Sequence, residues 1–193
     1  KTGIPLIHIS TDYVFDGTNC RPYIETDAAN PQSVYGRTKL AGEQAVLENA
    51  SAAVIIRTAW LYSEFGNNFV KTMRRLGAEK AQLNVVFDQV GTPTYAADLA
   101  AAVVHILPRL RPGMKEIFHF SNEGICSWYD FAVEIMKLSG LDCRINPIES
   151  KDYPTPARRP FYSVLNKTKI KQTFNIEINH WKESLQSCLK HLS

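Results

Sequence analysis

Five apolar runs rich in β-branched and aromatic residues recur along the chain: "IPLIHIS" (4–10), "AAVIIRTAWLY" (52–62), "LNVVF" (83–87), "EIFHFS" (116–121) and "CRINPIE" (143–149). Helix-period segments separate or follow them at 33–49, 67–79, 95–107, 127–139 and 180–192. Strands that alternate with helices predict an α/β fold with a largely parallel sheet. Helix boundaries are marked in the sequence. Asn30 and Pro31 open the first helix, Asp98 and "AADLAAAVV" fill the third, and Ser127 caps "SWYDFAVEIMKLSG", which Gly140 closes. Proline and glycine cluster at 108–113 and 154–160, the expected loops between lobes. No internal repeat or low-complexity segment is present.

The first apolar run ends in "STDYVFDG" (10–17), two hydroxyls and a carboxylate that a strand interior could not satisfy. In an open parallel sheet the ligand crevice lies beyond the carboxyl ends of the strands, so Ser10, Thr11 and Asp12 are placed to face a substrate. The same residue types also suit a plain turn. Tyr35 and Lys39 add the second half of a site. They stand four apart on one face of the first helix. An ammonium one turn from a tyrosine favours the phenolate, and a phenol in that setting can protonate a carbonyl oxygen. Hydroxyl, phenol and ammonium together fit a site that grips and protonates a ketone.

The composition excludes several alternatives. With 193 residues, 45% hydrophobic and 21% charged, the chain has material for one domain or a small two-lobed protein. No apolar run approaches the roughly 18 residues of a membrane span, and the first residues lack a secretory pattern, so a cytoplasmic location without membrane contact is expected. Cys20, Cys126, Cys143 and Cys188 are too scattered for a metal site and read as ordinary thiols. His8 and His119 fall in strands and His105 in a helix, without ligand spacing, so no metal ligand is assigned. The net charge of +3 is spread out apart from "ARRP" and "NKTKIKQ", which gives no nucleic-acid footprint. Trp128, Tyr129 and Phe131 read as packing residues, and Trp60, at a strand end, reads as a crevice residue. Asp88 and Gln89 fit either a substrate contact or a turn.

The segments "STDYVFDG", "YIETDAANPQSVYGRTKLAGEQAV", "RTAWLYSEFGNNFVKTM", "VVFDQVGTPTYAADLA" and "ARRPFYSVLN" resemble the extended short-chain dehydrogenase/reductases, over most of the chain. The likeness is to members that reduce the C4 ketone of dTDP-4-dehydrorhamnose with NADPH or NADH. It implies a catalytic triad of Thr11, Tyr35 and Lys39, with Tyr35 as proton donor and Lys39 also holding the nicotinamide ribose. It further implies substrate contacts from Thr11, Asp12 and Trp60, with Asn68 and Arg158 toward the nucleotide diphosphate. A homodimer is implied, in some members with Mg2+ at the interface. The resemblance also speaks to the rival reactions. In similar dehydratases a glutamate follows the Thr-Asp pair as a base, whereas here Tyr13 stands in that place. A 4,6-dehydratase, an epimerase, and a non-catalytic regulatory subunit such as that of methionine adenosyltransferase remain the alternatives.

One departure from the family pattern bears on domain organisation. The glycine-rich pyrophosphate loop is not found, since Gly3, Gly17 and Gly36 have neither its spacing nor its setting. In the strand order 3-2-1-4-5-6, "LIHIS" would be strand five and "AAVIIRTAWLY" would hold strand six. The expected organisation is the C-terminal half of a Rossmann-like NAD(P)-binding domain over 1–65 and mainly a nucleotide-sugar lobe over 66–193. Residues 84–108 are expected to return to the Rossmann side. Such a chain is expected to begin midway through the fold, to expose an apolar edge on its first strand, and to be inactive alone.

Overall fold

The computed structural model describes residues 3–155 and 159–192. Three parallel strands form its main sheet: β1 (Leu6–Thr11), β2 (Ala53–Thr58) and β7 (Lys115–His119), in the order β1-β2-β7. Every residue of β2 is buried, as the centre of a sheet covered on both faces requires. One face, carrying Val54, Ile56, Phe118 and Phe120, packs on α3 (Ala96–Ile106) and α5 (Thr168–Phe174). The other face lies under α1 (Val34–Asn49). Successive strands are joined by crossovers, and the first of these is α1 itself. β1 pairs with β2 alone among the described residues, and Leu6 on it is 42% exposed.

A second cluster is built around α2 (Phe69–Glu79), α4 (Trp128–Ser139) and α6 (Trp181–Lys190), with β4 (Gln82–Val86) paired parallel to β9 (Arg144–Ile148). Fully buried Phe131 lies at its centre, with the rings of Tyr62, Phe69, Trp128 and Trp181 at 5.4–6.4 Å. Short pairings complete the frame. β3 (Leu61–Tyr62) runs parallel to β6 (Thr94–Tyr95), and β5 (Val90–Gly91) antiparallel to β8 (Cys126–Ser127). Asn122 joins the two clusters. Its Oδ1 accepts the Tyr95 N–H at 2.8 Å, while its Nδ2 donates to Asp98 at 2.6 Å and to Ser184 at 2.8 Å.

All five expected strands and all five expected helices are present. Ser127 and Asp130 form a reciprocal capping box, and Gly140, left-handed at φ 64°, ends α4. Four details differ. The cap of α1 is Ser33, whose Oγ accepts the Gly36 N–H at 3.0 Å, while Asn30 donates instead to Asp16 at 3.2 Å. Residues 108–113 do not link two lobes, because they join α3 to β7 and both belong to the main sheet's layers. Residues 84–108 divide: β4 pairs with β9, and α3 covers the main sheet, to which the chain returns with β7. The charged stretch "NKTKIKQ" leads into α5, which begins within it at Thr168 and is anchored by buried Ile170 and Phe174 at helical spacing.

The cluster around Phe131 makes a stability prediction. Phe131→Ala should lower the unfolding free energy by about 3–5 kcal/mol, the range for truncating a fully buried aromatic side chain. Urea or guanidinium denaturation of the chain measures it, with the midpoint falling at unchanged slope.

Candidate functional site

β1 delivers Thr11 and Asp12 to its carboxyl end, where the chain turns through a short 3-10 helix, Asp12–Val14. Thr11 caps that turn: its Oγ1 accepts the Tyr13 N–H at 3.3 Å and donates to Asp12 Oδ1 at 3.0 Å. Both side chains are buried, at 5% and 3% exposure. Asp12 Oδ2 has no hydrogen-bond partner, and burial pushes the carboxyl up to about 6 against hydrogen bonds from Thr11 and Ser163 that favour the charged form. Ser163 reaches it because Ser163 N–H bonds to Val90 O at 2.8 Å and so joins the C-terminal segment to β5.

α1 carries Tyr35 and Lys39 to the same strand end. Lys39 Nζ donates to the carbonyl of Ile9 in β1 at 2.7 Å. Tyr35 is 54% exposed, and its ring meets that of Tyr13 edge-on at 5.7 Å. The close approach depends on Gly36, where a Cβ would lie 2.3 Å from Tyr13 O. Burial also raises the Tyr13 phenol, as does the Asp12 carboxylate, with Arg159 opposing both.

One turn further along α1, Glu43 is 1% exposed and accepts three hydrogen bonds. Ser10 Oγ donates at 2.5 Å, and Arg57 Nε and Nη2 donate at 2.9 and 2.7 Å. Arg57 is 3% exposed and stands over the Phe15 ring at 5.1 Å. Beside it, His119 is held neutral: burial first, then the Arg57 charge, lowers it to about 3. Its Nδ1 bonds to Tyr23 O at 3.1 Å.

The remaining expected residues separate. Trp60 has a left-handed backbone, φ 48°, and stacks on Trp128 at 3.6 Å, so Trp128 covers one indole face. Asn68 caps α2 through Lys71 N–H and donates to Ser63 O at 2.7 Å, which commits its amide to the 63–68 loop. Asp88 and Gln89 both bond to Ser150, at 2.7–2.8 Å, and shape the turn there. Arg158 lies outside the described residues. Arg159 stands between two openings. One is a cleft bounded by Tyr13, Ser33 and Phe161, the other a cavity of ≈ 200 Å³ lined by Phe69, Asn84, Gln89, Trp128 and Tyr153 among others. Glu43, Arg57, Ser163 and Arg159 were not singled out from the sequence. A charged residue inside the apolar run "AVIIRT", and a carboxylate at helical spacing from Lys39, were the available signals.

Among the described residues, no group of three or more His, Cys, Asp or Glu side chains is placed to hold a metal ion, and no helix is long and apolar enough to cross a membrane.

The parallel sheet with its crossover helix, and the polar strand end that α1 meets, define a Rossmann-type α/β protein of the short-chain dehydrogenase/reductase class. The chain matches the RmlD substrate binding domain over residues 1–193, and it belongs to that family. It is 43% identical over 193 residues to the spore coat polysaccharide biosynthesis protein SpsK of Bacillus subtilis, covering 100% of this chain and 66% of that protein. It is 45% identical over 190 residues to the dTDP-4-dehydrorhamnose reductase of Sinorhizobium fredii, covering 94% of this chain and 64% of that protein. A crystal structure of dTDP-4-dehydrorhamnose reductase from Bacillus anthracis in complex with NADP superposes with a TM-score of 0.92 at 37% identity, covering 97% of this chain and 66% of that one. The chain thus spans 64–66% of the length of these relatives.

Two predictions follow from the local geometry. Gly42→Ala on α1 meets only ordinary contact, with His8 Nε2 at 3.7 Å, and should stabilise by about 0.5–1 kcal/mol as alanine does in a helix interior. Gly36→Ala on the same helix should destabilise, because the added Cβ strikes backbone. Thermal or chemical denaturation of the pair shows the opposite signs.

The second prediction concerns pH. Asp12 in the folded chain holds its proton more tightly than at the ordinary value of 3.8. Ionisation therefore costs folding free energy, increasingly from about pH 4 to pH 6 and at a constant level above that. Asp12→Asn should be more stable than wild type at pH 8, with the difference vanishing below pH 4, as read from denaturation midpoints across that range.

Proposed function

We propose that this chain supplies the substrate-binding and proton-donating part of a reductase that converts the C4 ketone of dTDP-4-dehydrorhamnose to the alcohol of dTDP-rhamnose, in polysaccharide biosynthesis. The observation that carries the reading is the Tyr35–Lys39 pair on α1 at the end of β1, beside Thr11. The names of its full-length relatives support the substrate.

A nicotinamide cofactor, NADPH or NADH, supplies the hydride to C4 when bound. The chain's residues fit such a group. Lys39 gives one of its three N–H bonds to Ile9 O and keeps two for the ribose hydroxyls. Tyr35 stands exposed in the crevice and passes its proton to the carbonyl oxygen. The Lys39 ammonium steadies the phenolate until solvent returns the proton. Thr11 gives its one hydroxyl proton to Asp12 Oδ1 and would turn it to the carbonyl oxygen when the sugar binds, a change that would also open the buried, unpartnered Oδ2 of Asp12 to a sugar hydroxyl.

In this reading the sugar lies against Tyr13 and Tyr35. The diphosphate meets Arg159, whose guanidinium suits phosphate geometry, while Arg158 is assigned to the same group by the family resemblance alone. The base enters the ≈ 200 Å³ cavity between Phe69, Trp128 and Tyr153, which Asn84 and Gln89 also line. Trp60 offers an indole edge to the deoxysugar, and Asn68 acts by fixing the 63–68 loop. The reading extends to a cytoplasmic homodimer, an expectation that rests on the family resemblance.

The test is Tyr35→Phe in the full-length protein, given NADPH and dTDP-4-dehydrorhamnose. Turnover should fall by about 10²–10⁴-fold, the usual loss for a general acid, with KM for the sugar within about twofold. An unchanged kcat removes Tyr35 from the mechanism. A wild-type protein that consumes no NADPH with this sugar removes the reductase reading.

A further inference from the structure

Ser10, Arg57 and His119 form a row across the main sheet, one residue from each strand, because β1 and β2 pair Ser10 with Arg57 while β2 and β7 pair Arg57 with His119. Partners in register point to the same face of a sheet. In this sheet that face lies under α1. The row sits one layer below the strand ends that carry Thr11 and Thr58.

Glu43 is the residue of α1 that engages the row. It follows Tyr35 and Lys39 at steps of four, so all three share one helix face. Its carboxylate takes both forks of the Arg57 guanidinium, at 2.9 and 2.7 Å, and the Ser10 hydroxyl at 2.5 Å. A bidentate pair fixes direction as well as distance. Through Glu43 the helix is held to two strands at once, and with Lys39 on Ile9 O its rotation and its height along the sheet are both set. Gly36 brings the start of the helix against Tyr13 O. Tyr35, whose side chain is half exposed and has no comparable tether among the described residues, depends on this frame for its place.

We propose that Glu43 is a positioning residue for the Tyr35–Lys39 pair, acting through its buried bond to Arg57 and Ser10. The inference rests on the reductase reading for its kinetic consequence and on the geometry above for its structural one. A phenol displaced by about 1 Å from its acceptor loses on the order of 10²-fold in rate, whereas binding of the nucleotide sugar through remote contacts is spared.

The experiment compares two variants of the full-length protein, Glu43→Gln and the double variant Glu43→Leu with Arg57→Leu. Glu43→Gln leaves Arg57 buried without its counter-charge. The double variant removes both charges and replaces them by apolar groups, a change that buried pairs commonly tolerate without loss of folding. Each is measured for kcat and KM, for Tm, and for hydrogen exchange of the α1 amides. The expected result for the double variant is a Tm within a few degrees of wild type, a kcat at least about tenfold lower, a KM within about twofold, and faster exchange in the first half of α1.

Wild-type kcat in a folded double variant would overturn the proposal, showing that the pair serves folding alone. So would unchanged α1 exchange. If the wild-type protein proves not to reduce the keto-sugar, the reductase reading falls by that result, and the exchange comparison still decides whether Glu43 holds the helix.

Discussion

Arg57 is the penultimate residue of β2, the central strand, where every residue is buried, and a guanidinium there must find a counter-charge or the sheet will not close over it. Glu43 meets that requirement from the helix above, and the consequences extend through the fold. Removing one partner of such a pair typically costs about 3–5 kcal/mol, because the other charge is left uncompensated in the interior. The pair also has a directional effect that an apolar contact would lack. A leucine at position 43 could slide along β2, but a two-pronged bond to Arg57 plus a bond to Ser10 admits one position of α1. The placement of Lys39, the approach of Gly36 to Tyr13 and the exposure of Tyr35 are all read from that one position.

Around this anchor the protein accepts local costs in one place. Asp12 is desolvated with one oxygen unpartnered, His119 is held neutral beside a guanidinium, and Trp60 adopts a left-handed backbone that a bulky residue rarely takes. All three lie at or just below the carboxyl ends of the main strands. A sheet end whose polar groups served only to cap turns would relieve such costs by exposing the carboxylate or placing glycine at position 60. Here all three persist together at one end of the main sheet.

The second cluster contributes by bringing distant chain segments to that end. Val90 joins the 161–163 segment on one side and Ser127 on the other, so β5 bridges the C-terminal segment and the start of α4. Ser163 thereby reaches Asp12, and Trp128 at the start of α4 reaches Trp60. Gly91 makes the junction possible, since a Cβ there would lie 2.6 Å from Ser163 Oγ and 2.7 Å from the Trp60 ring. The cavity next to Arg159 is a product of the same meeting, with walls from α2, β4, α4, Tyr153 and Thr155.

The sequence by itself determined what depends on near neighbours. Strand and helix periods, the cap at Ser127 and the glycine at 140 are local properties, and so is the placing of Tyr35 and Lys39 on one helix face. Thr11 and Asp12 were legible as strand-end polar residues for the same reason. The capping of α1 was misplaced by three residues because Asn30 and Ser33 are both good caps and only the paths of the surrounding chain choose between them. α5 was hidden because Lys167, Lys169 and Lys171 crowd around Ile170 and masked its spacing to Phe174. Tertiary structure alone decided which strands are neighbours, and therefore that Ser10, Arg57 and His119 share a row, that Glu43 closes over them, and that Ser163 meets Asp12. Those contacts depend on the register between segments far apart in the chain, and a period of two or 3.6 residues carries no information about what lies across a sheet or above it.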